Sequence, residues 1–227
     1  MTPFTGFSTK TTKFLRDLGR HNDKAWFDAH RGEYEQYWLE PARAFIDAVG
    51  PKVQTFAPNI VWEPRVNGSI FRVNRDIRFS KDKTPYKDHI DFWLWEGQRS
   101  TAVSGFFLRI RAKSIHLGVG SHGFSKEALA SYRKALENDG SAESLASLIK
   151  RLERAGYTLG GKTYKRPPPG FDGQGAAREF VLHGALWVDV ERRPPSELRS
   201  NAFAAYCTRE WKKMAPLHRW LMQEVAQ

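Results

Sequence analysis

Cysteine is almost absent: of 227 residues only Cys207 carries a thiol, so no internal disulfide can form. That economy fits a reducing compartment, and a cytoplasmic protein is expected. No apolar run reaches the ~18 residues that a membrane-spanning helix requires. Met1 to Phe14 holds no hydrophobic stretch of signal-peptide length, so no membrane partner is expected. The seven histidines make neither H-x-H nor H-E-x-x-H spacing, which disfavours a metal centre and leaves no metal-ligand set to assign. Five consecutive like charges never occur, there is no internal repeat, and no long polar linker divides the chain.

Aromatic residues, by contrast, are plentiful at 13%, with 8 Trp and 15 Phe, which excludes an intrinsically disordered chain. The net charge of +11 favours an anionic partner or simple solubility. The excess lies in separated segments, so a nucleic-acid surface would require the fold to gather them.

Apolar spacing organises the chain. Residues 9–57 read as helical, with breaks at Gly19 and at Gly50-Pro51, an N-cap at Asn22 and a helix start at Pro41. Residues 60–120 read as a β meander, with extended runs at 60–62, 70–79, 89–95, 105–111 and 115–119. Within it, Phe106, Leu108 and Ile110 alternate with Phe107, Arg109 and Arg111, the period of a strand with one wetter face. Residues 125–156 return to helix, capped at Ser125 and Ser141; 157–191 are a proline-rich loop and a strand; 196–226 are helical with a kink at Pro216. The expected fold is α+β, a single domain whose antiparallel sheet packs against N-terminal and C-terminal helices.

Residues 70–87 carry six basic and two acidic side chains. As a strand over 70–79 they would turn Phe71, Val73, Ile77 and Phe79 inward, with Arg75 misplaced on the apolar face. Asn74 and Asp76 are poor strand residues, so a bulge or break is expected there. Arg72, Arg75, Arg78, Lys81, Lys83 and Lys87 form a candidate anion site, since guanidinium forks match phosphate or carboxylate oxygens and ammonium groups add charge. In a phosphate-ester enzyme, Asp76 or Asp82 would serve as base or cation ligand and Tyr86 as proton donor. The bland alternative is a salt-bridge network that ties the segment to the helices.

The run Arg75-Asp76-x-Arg78-Phe79-Ser80-Lys81-Asp82-Lys83-Thr84-Pro85-Tyr86-Lys87 resembles the signature of the family called domain of unknown function 2461. Trp26-Phe27, Tyr34 and Pro41, then Gly105-Phe106-Phe107-Leu108, Gly118-x-Gly120 and Lys165-Arg166-Pro167 with Gly170-Phe171, are similar to further parts of that family. Asp172-Gly173-Gln174 departs from the His-Pro pair expected there. The resemblance implies kinship along most of the chain and no activity, so function rests on the residues. They point to an anionic small molecule or nucleotide as ligand, with nucleic acid as the alternative polyanion. No cofactor or oligomeric state is indicated.

Other motifs weigh less. Gly118–Gly123 satisfies G-x-G-x-x-G, but two helices follow it where a dinucleotide fold needs a parallel strand. Cys207 falls among Phe203, Tyr206 and Trp211, the setting of a buried small hydrophobe. The aromatic stripe over residues 26–38 reads as core.

Overall fold

The computed structural model describes residues 2–226. Helix α1, Thr9–Arg20, begins where the Ser8 side chain accepts the Thr11 N–H. Helix α2, Lys24–Ala29, is capped by Asp23, which accepts from Trp26 N at 2.9 Å; Asn22 has another task, described below. Helix α3, Arg31–Tyr34, runs without a gap through a wide π turn, Glu35–Leu39, into α4, Glu40–Gln54. Pro41 falls in the first turn of α4, as expected, although the preceding π turn joins that helix to α3 without a break. The wide turn loosens the backbone four residues before Pro41, where its ring would otherwise meet a carbonyl. Gly50-Pro51 does not break the helix either. It continues to Gln54, and Gly50 is needed because a Cβ there would overlap the Trp62 ring.

The sheet comprises β1, Ile60–Val61; β2, His89–Glu96; β3, Gly105–Arg111; β4, Ile115–Ser121; β5, Thr158–Lys162; and β6, His183–Arg192. Its order is β1-β2-β3-β4-β6-β5 with every pair antiparallel. The β3–β4 turn falls at the expected Ala112-Lys113-Ser114. Helices α5, Lys126–Leu136, and α6, Asp139–Arg154, follow β4; α7, Ala176–Phe180, precedes β6; and α8, Ala202–Glu224, closes the chain. Ser125 caps α5 as expected, accepting from Ala128 N, whereas α6 is capped by Asn138 and not by Ser141. Helix α8 runs on through Pro216. The chain is thus one α+β domain.

One face of the sheet is the core. Ile90, Phe92 and Leu94 of β2, Phe106, Leu108 and Ile110 of β3, Leu117 and Val119 of β4, and Leu186 and Val188 of β6 are all buried. Phe45 of α4 lies 5.1 Å from Phe92 and 5.6 Å from Phe203 of α8, ring centre to ring centre. The aromatic stripe of α2–α4 joins this core: Tyr34 meets Trp38 edge-on at 4.8 Å. Cys207 is fully buried.

Residues 70–79 are not a strand. Ile70 forms a single bridge to Phe92, Asn74 one to Tyr86, and the rest is irregular. Short polar side chains satisfy the backbone locally: Asp76 Oδ1 accepts from Arg78 N at 3.2 Å, and Asp82 Oδ1 from Thr84 N at 3.0 Å. Such bonds compete with a sheet ladder. The break expected around Asn74–Asp76 is present, but the inward face expected for Phe79 is not: Phe79 is 95% exposed. Strand β5 and helix α7 were not expected from the sequence.

Candidate functional site

Strand periodicity puts every second residue of β2, β3, β4 and β6 on the face opposite the core. These residues are Asp91 and Trp93, Phe107 and Arg109, His116, and Trp187 and Asp189. Such a face is ordinarily polar and solvated. Here it is rich in aromatic and titratable groups, and it holds a cleft of about 590 Å³. Phe71, Arg99, Ser121 and His122 also line it, whereas Trp187 and Asp189 stand outside the lining, against His122 and His116. Glycine makes the room. A Cβ on Gly105 would overlap the Trp93 indole, and one on Gly160 would overlap the Trp187 indole. Gly120, at φ +131°, passes too close to the Leu186 carbonyl for any side chain. Two glycines in five residues also explain why β5 left no strand signal.

Asp91 is 5% exposed and occupies the centre. Arg109 Nε donates to Asp91 Oδ1 at 2.6 Å and its terminal nitrogen to Oδ2 at 3.2 Å. His89 Nε2 lies 3.3 Å from Asp91 Oδ2 and Lys87 Nζ 3.7 Å from it. Burial alone would raise the Asp91 pKa, but the His89 and Arg109 contacts outweigh it and hold the carboxyl well below the usual carboxylate range. Burial pulls the Lys87 ammonium down, against the opposing pull of Asp91. On the β4–β6 side, His116 Nε2 stands 3.1 Å from Asp189 Oδ2, the oxygen that also accepts the Trp187 indole N–H at 2.8 Å. The His122 ring, open to the cleft, lies between Phe107 at 5.3 Å and Trp187 at 4.7 Å, and these surroundings lower its pKa by desolvation.

Arg99, on the loop between β2 and β3, differs from the other cations. Its guanidinium sits 5.6 Å from the Phe71 ring centre, 5.7 Å from Trp93 and 5.5 Å from Trp95. Its Nε donates to the Gly68 carbonyl at 3.2 Å. Among the described residues no carboxylate lies within 4.0 Å of it. His218 of α8 holds both ends of that loop, Nε2 on Glu96 Oε2 at 2.9 Å and Nδ1 on Ser104 Oγ at 3.0 Å.

The residues singled out in 70–87 take several places. Arg78 forms a two-point pair with Asp76, at 3.0 and 2.6 Å, two residues away. That contact draws the Asp76 carboxyl below its ordinary range. Arg75 binds Asp82 at 2.6 Å together with the Thr84 carbonyl and hydroxyl. Asp82 is lowered first by the Thr84 N–H and hydroxyl and then by Arg75. Lys83 donates to the Ile77 carbonyl at 2.9 Å. Arg72 and Lys81 are exposed. The Tyr86 ring is buried and stacked on Phe27 at 4.2 Å, and the Asn22 side chain clasps its backbone through bonds of 2.8 and 2.9 Å. Arg75, Asp82, Tyr86 and Lys87 do share a polar groove of about 410 Å³ with His89 and Arg111. Lys87 Nζ also lies 5.2 Å from the centre of the Phe71 ring, which lines the cleft.

Sequence reasoning did not single out Arg99, Arg109, His116, His122 or Asp189 as a site. The available signal was the second phase of the strand alternation: β2 and β3 place tryptophan and phenylalanine beside opposite charges on the face expected to be wet.

Residues 10–220 match the family model described as conserved hypothetical protein (DUF2461). No curated protein and no solved structure matches the chain.

Proposed function

The chain belongs to the DUF2461 family, and on its geometry we propose that it binds a small planar anion, an aromatic ring bearing a carboxylate or phosphate, in the cleft on the outer face of the sheet. The observation that carries this reading is Arg99. Its charge is presented at a cleft wall, stacked on aromatic rings, with no carboxylate to neutralise it. A guanidinium so placed keeps its outer N–H groups for a ligand and adds little rotamer entropy cost when one arrives. The volume suits a small-molecule site, and Trp93 and Phe107 offer flat apolar surface for a ring. Asp91 does not repel an anion, because Arg109, His89 and Lys87 surround it.

Titrating the protein with phenylpyruvate and with a nucleoside monophosphate, read by tryptophan fluorescence, tests this. Arg99→Ala should weaken binding at least ~10-fold, the equivalent of about 1.4 kcal/mol. Unchanged affinity in that variant would remove the reading.

A second reading places the anion in the groove of Arg75, Tyr86, Lys87 and Arg111, and is favoured by the concave polar space they enclose. Arg75→Ala would then cost affinity while Arg99→Ala would not. A nucleic-acid partner would show affinity falling steeply with salt, whereas a single small anion gives a shallow slope.

A further inference from the structure

The cleft holds more than a binding site needs. On one side, His116 has its Nε2 beside a carboxylate whose own orientation is fixed by the Trp187 indole. A base aimed by a carboxylate that is itself held in place is the arrangement used for proton transfer. His122 lies across the same Phe107 ring: both imidazoles meet that phenyl edge-on, His116 at 5.6 Å and His122 at 5.3 Å. No hydrogen bond from the described residues engages the His122 ring. Arg109, the direct cross-strand neighbour of His116, uses Nε and one terminal nitrogen on Asp91 and keeps its other terminal nitrogen uncommitted.

Nucleophiles are missing from this cleft. Ser121 is buried, with its hydroxyl tied to the Gly123 backbone at 3.1 Å. Ser100 is exposed and has no basic partner among the described residues. Cys207 is in the core. A base, two guanidinium groups and an unengaged imidazole, without a nucleophile, suit removal of a proton next to a carbonyl.

We propose that this cleft catalyses keto–enol tautomerisation of an aromatic 2-oxo acid, with His116 as the base and Asp189 as its positioning residue. The inference rests on the anion-binding reading above. Arg99 takes the substrate carboxylate and the ring lies against Trp93 and Phe107. The basic nitrogen of His116 takes one proton from the carbon between ring and carbonyl. The C–H electron pair becomes the new C=C bond, and the carbonyl π pair moves onto oxygen. Arg109 and the His122 N–H stabilise that developing oxyanion. The flanking Phe107 and Trp187 rings lower the His122 pKa by desolvation, which favours the neutral imidazole, whose N–H is a hydrogen-bond donor. His116 then returns its proton to the oxygen, giving the enol. Nothing is oxidised or reduced, and no co-reactant is consumed.

The probe is phenylpyruvate in D₂O, followed by proton NMR of its methylene signal. The wild-type protein should speed loss of that signal over buffer. His116→Gln should slow the protein-catalysed rate by on the order of 10²-fold, with phenylpyruvate binding by tryptophan fluorescence unchanged. Added imidazole should restore part of the rate to a folded His116→Gly variant. Asp189→Asn should lower kcat while KM stays within about 2-fold, a split that mere loosening of the fold does not produce. Phenylpyruvate that binds but exchanges at the buffer rate overturns the catalytic inference and leaves the binding reading standing. Phenylpyruvate that does not bind overturns both.

Discussion

Replacing Asp91 by asparagine removes one charge and almost no volume, so its cost reports the electrostatics of the cleft floor. In the wild-type protein the carboxylate accepts two bonds from Arg109 and faces His89 and Lys87. Hydrogen bonds to charged groups contribute about 1.5–3 kcal/mol each. The Arg109 side chain keeps 30% of its surface in solvent and its charge can be rehydrated, so the lower end of that range applies. Asparagine also turns an NH₂ donor toward guanidinium donors. A loss of about 3 kcal/mol at pH 7 follows, at the low end of the range for breaking a buried pair. At ~2–4 °C per kcal/mol for a chain of this size, Tm should fall by roughly 6–12 °C. The pH dependence has a definite sign. The folded pKa of Asp91 is depressed, so its stabilisation is fully present above the unfolded value of about 3.9. It is lost as pH falls below that value toward the folded pKa. Urea unfolding followed by circular dichroism at pH 7 and at pH 3 should therefore show the gap between wild type and Asp91→Asn narrowing at the lower pH. A gap under 1 kcal/mol at pH 7, or one that stays constant down to pH 3, would refute the reasoning.

Gly105→Ala should destabilise by about 1–3 kcal/mol in chemical denaturation, because the new Cβ overlaps the Trp93 indole and the Leu94 carbonyl. Phe79→Ser should leave stability within about 0.5 kcal/mol, since the ring is exposed; a larger loss would restore the inward-facing strand that the structure lacks. His218→Ala should speed amide hydrogen exchange across residues 97–104, whose two ends the imidazole bridges, and should weaken anion binding although His218 touches no part of the cleft. Unchanged exchange in that loop would show that the bridge does not hold it.

The regular part of the fold was legible because burial writes itself into the sequence as a period. The alternation of Phe106, Leu108 and Ile110 placed β3 correctly to the residue, and Ser125 marked the start of α5. Where the reading failed, a local force had overridden the pattern. Asp76 and Asp82 spend their carboxylates on nearby backbone and arginines, which uncouples the segment beyond Phe71 from the sheet despite its apolar spacing. Strand β5 has glycine where a pattern would need a side chain, because the Trp187 ring fills that space.

The candidate site illustrates a different limit. Charge density singled out 70–87, yet much of that charge is consumed by partners two to nine residues away. Density in sequence favours such pairing, since opposite charges on one short segment meet at little entropic cost. Arg99 escapes neutralisation for the converse reason: its neighbours on the loop are glycine, glutamine, serine and threonine, and what the fold brings to it from 71, 93 and 95 are rings. Aromatic faces hold a guanidinium in place without cancelling its charge. An isolated arginine in a polar loop, flanked in space by aromatic residues of an adjacent strand, therefore carries the proposed anion site better than the richest basic segment or the net charge of +11 would.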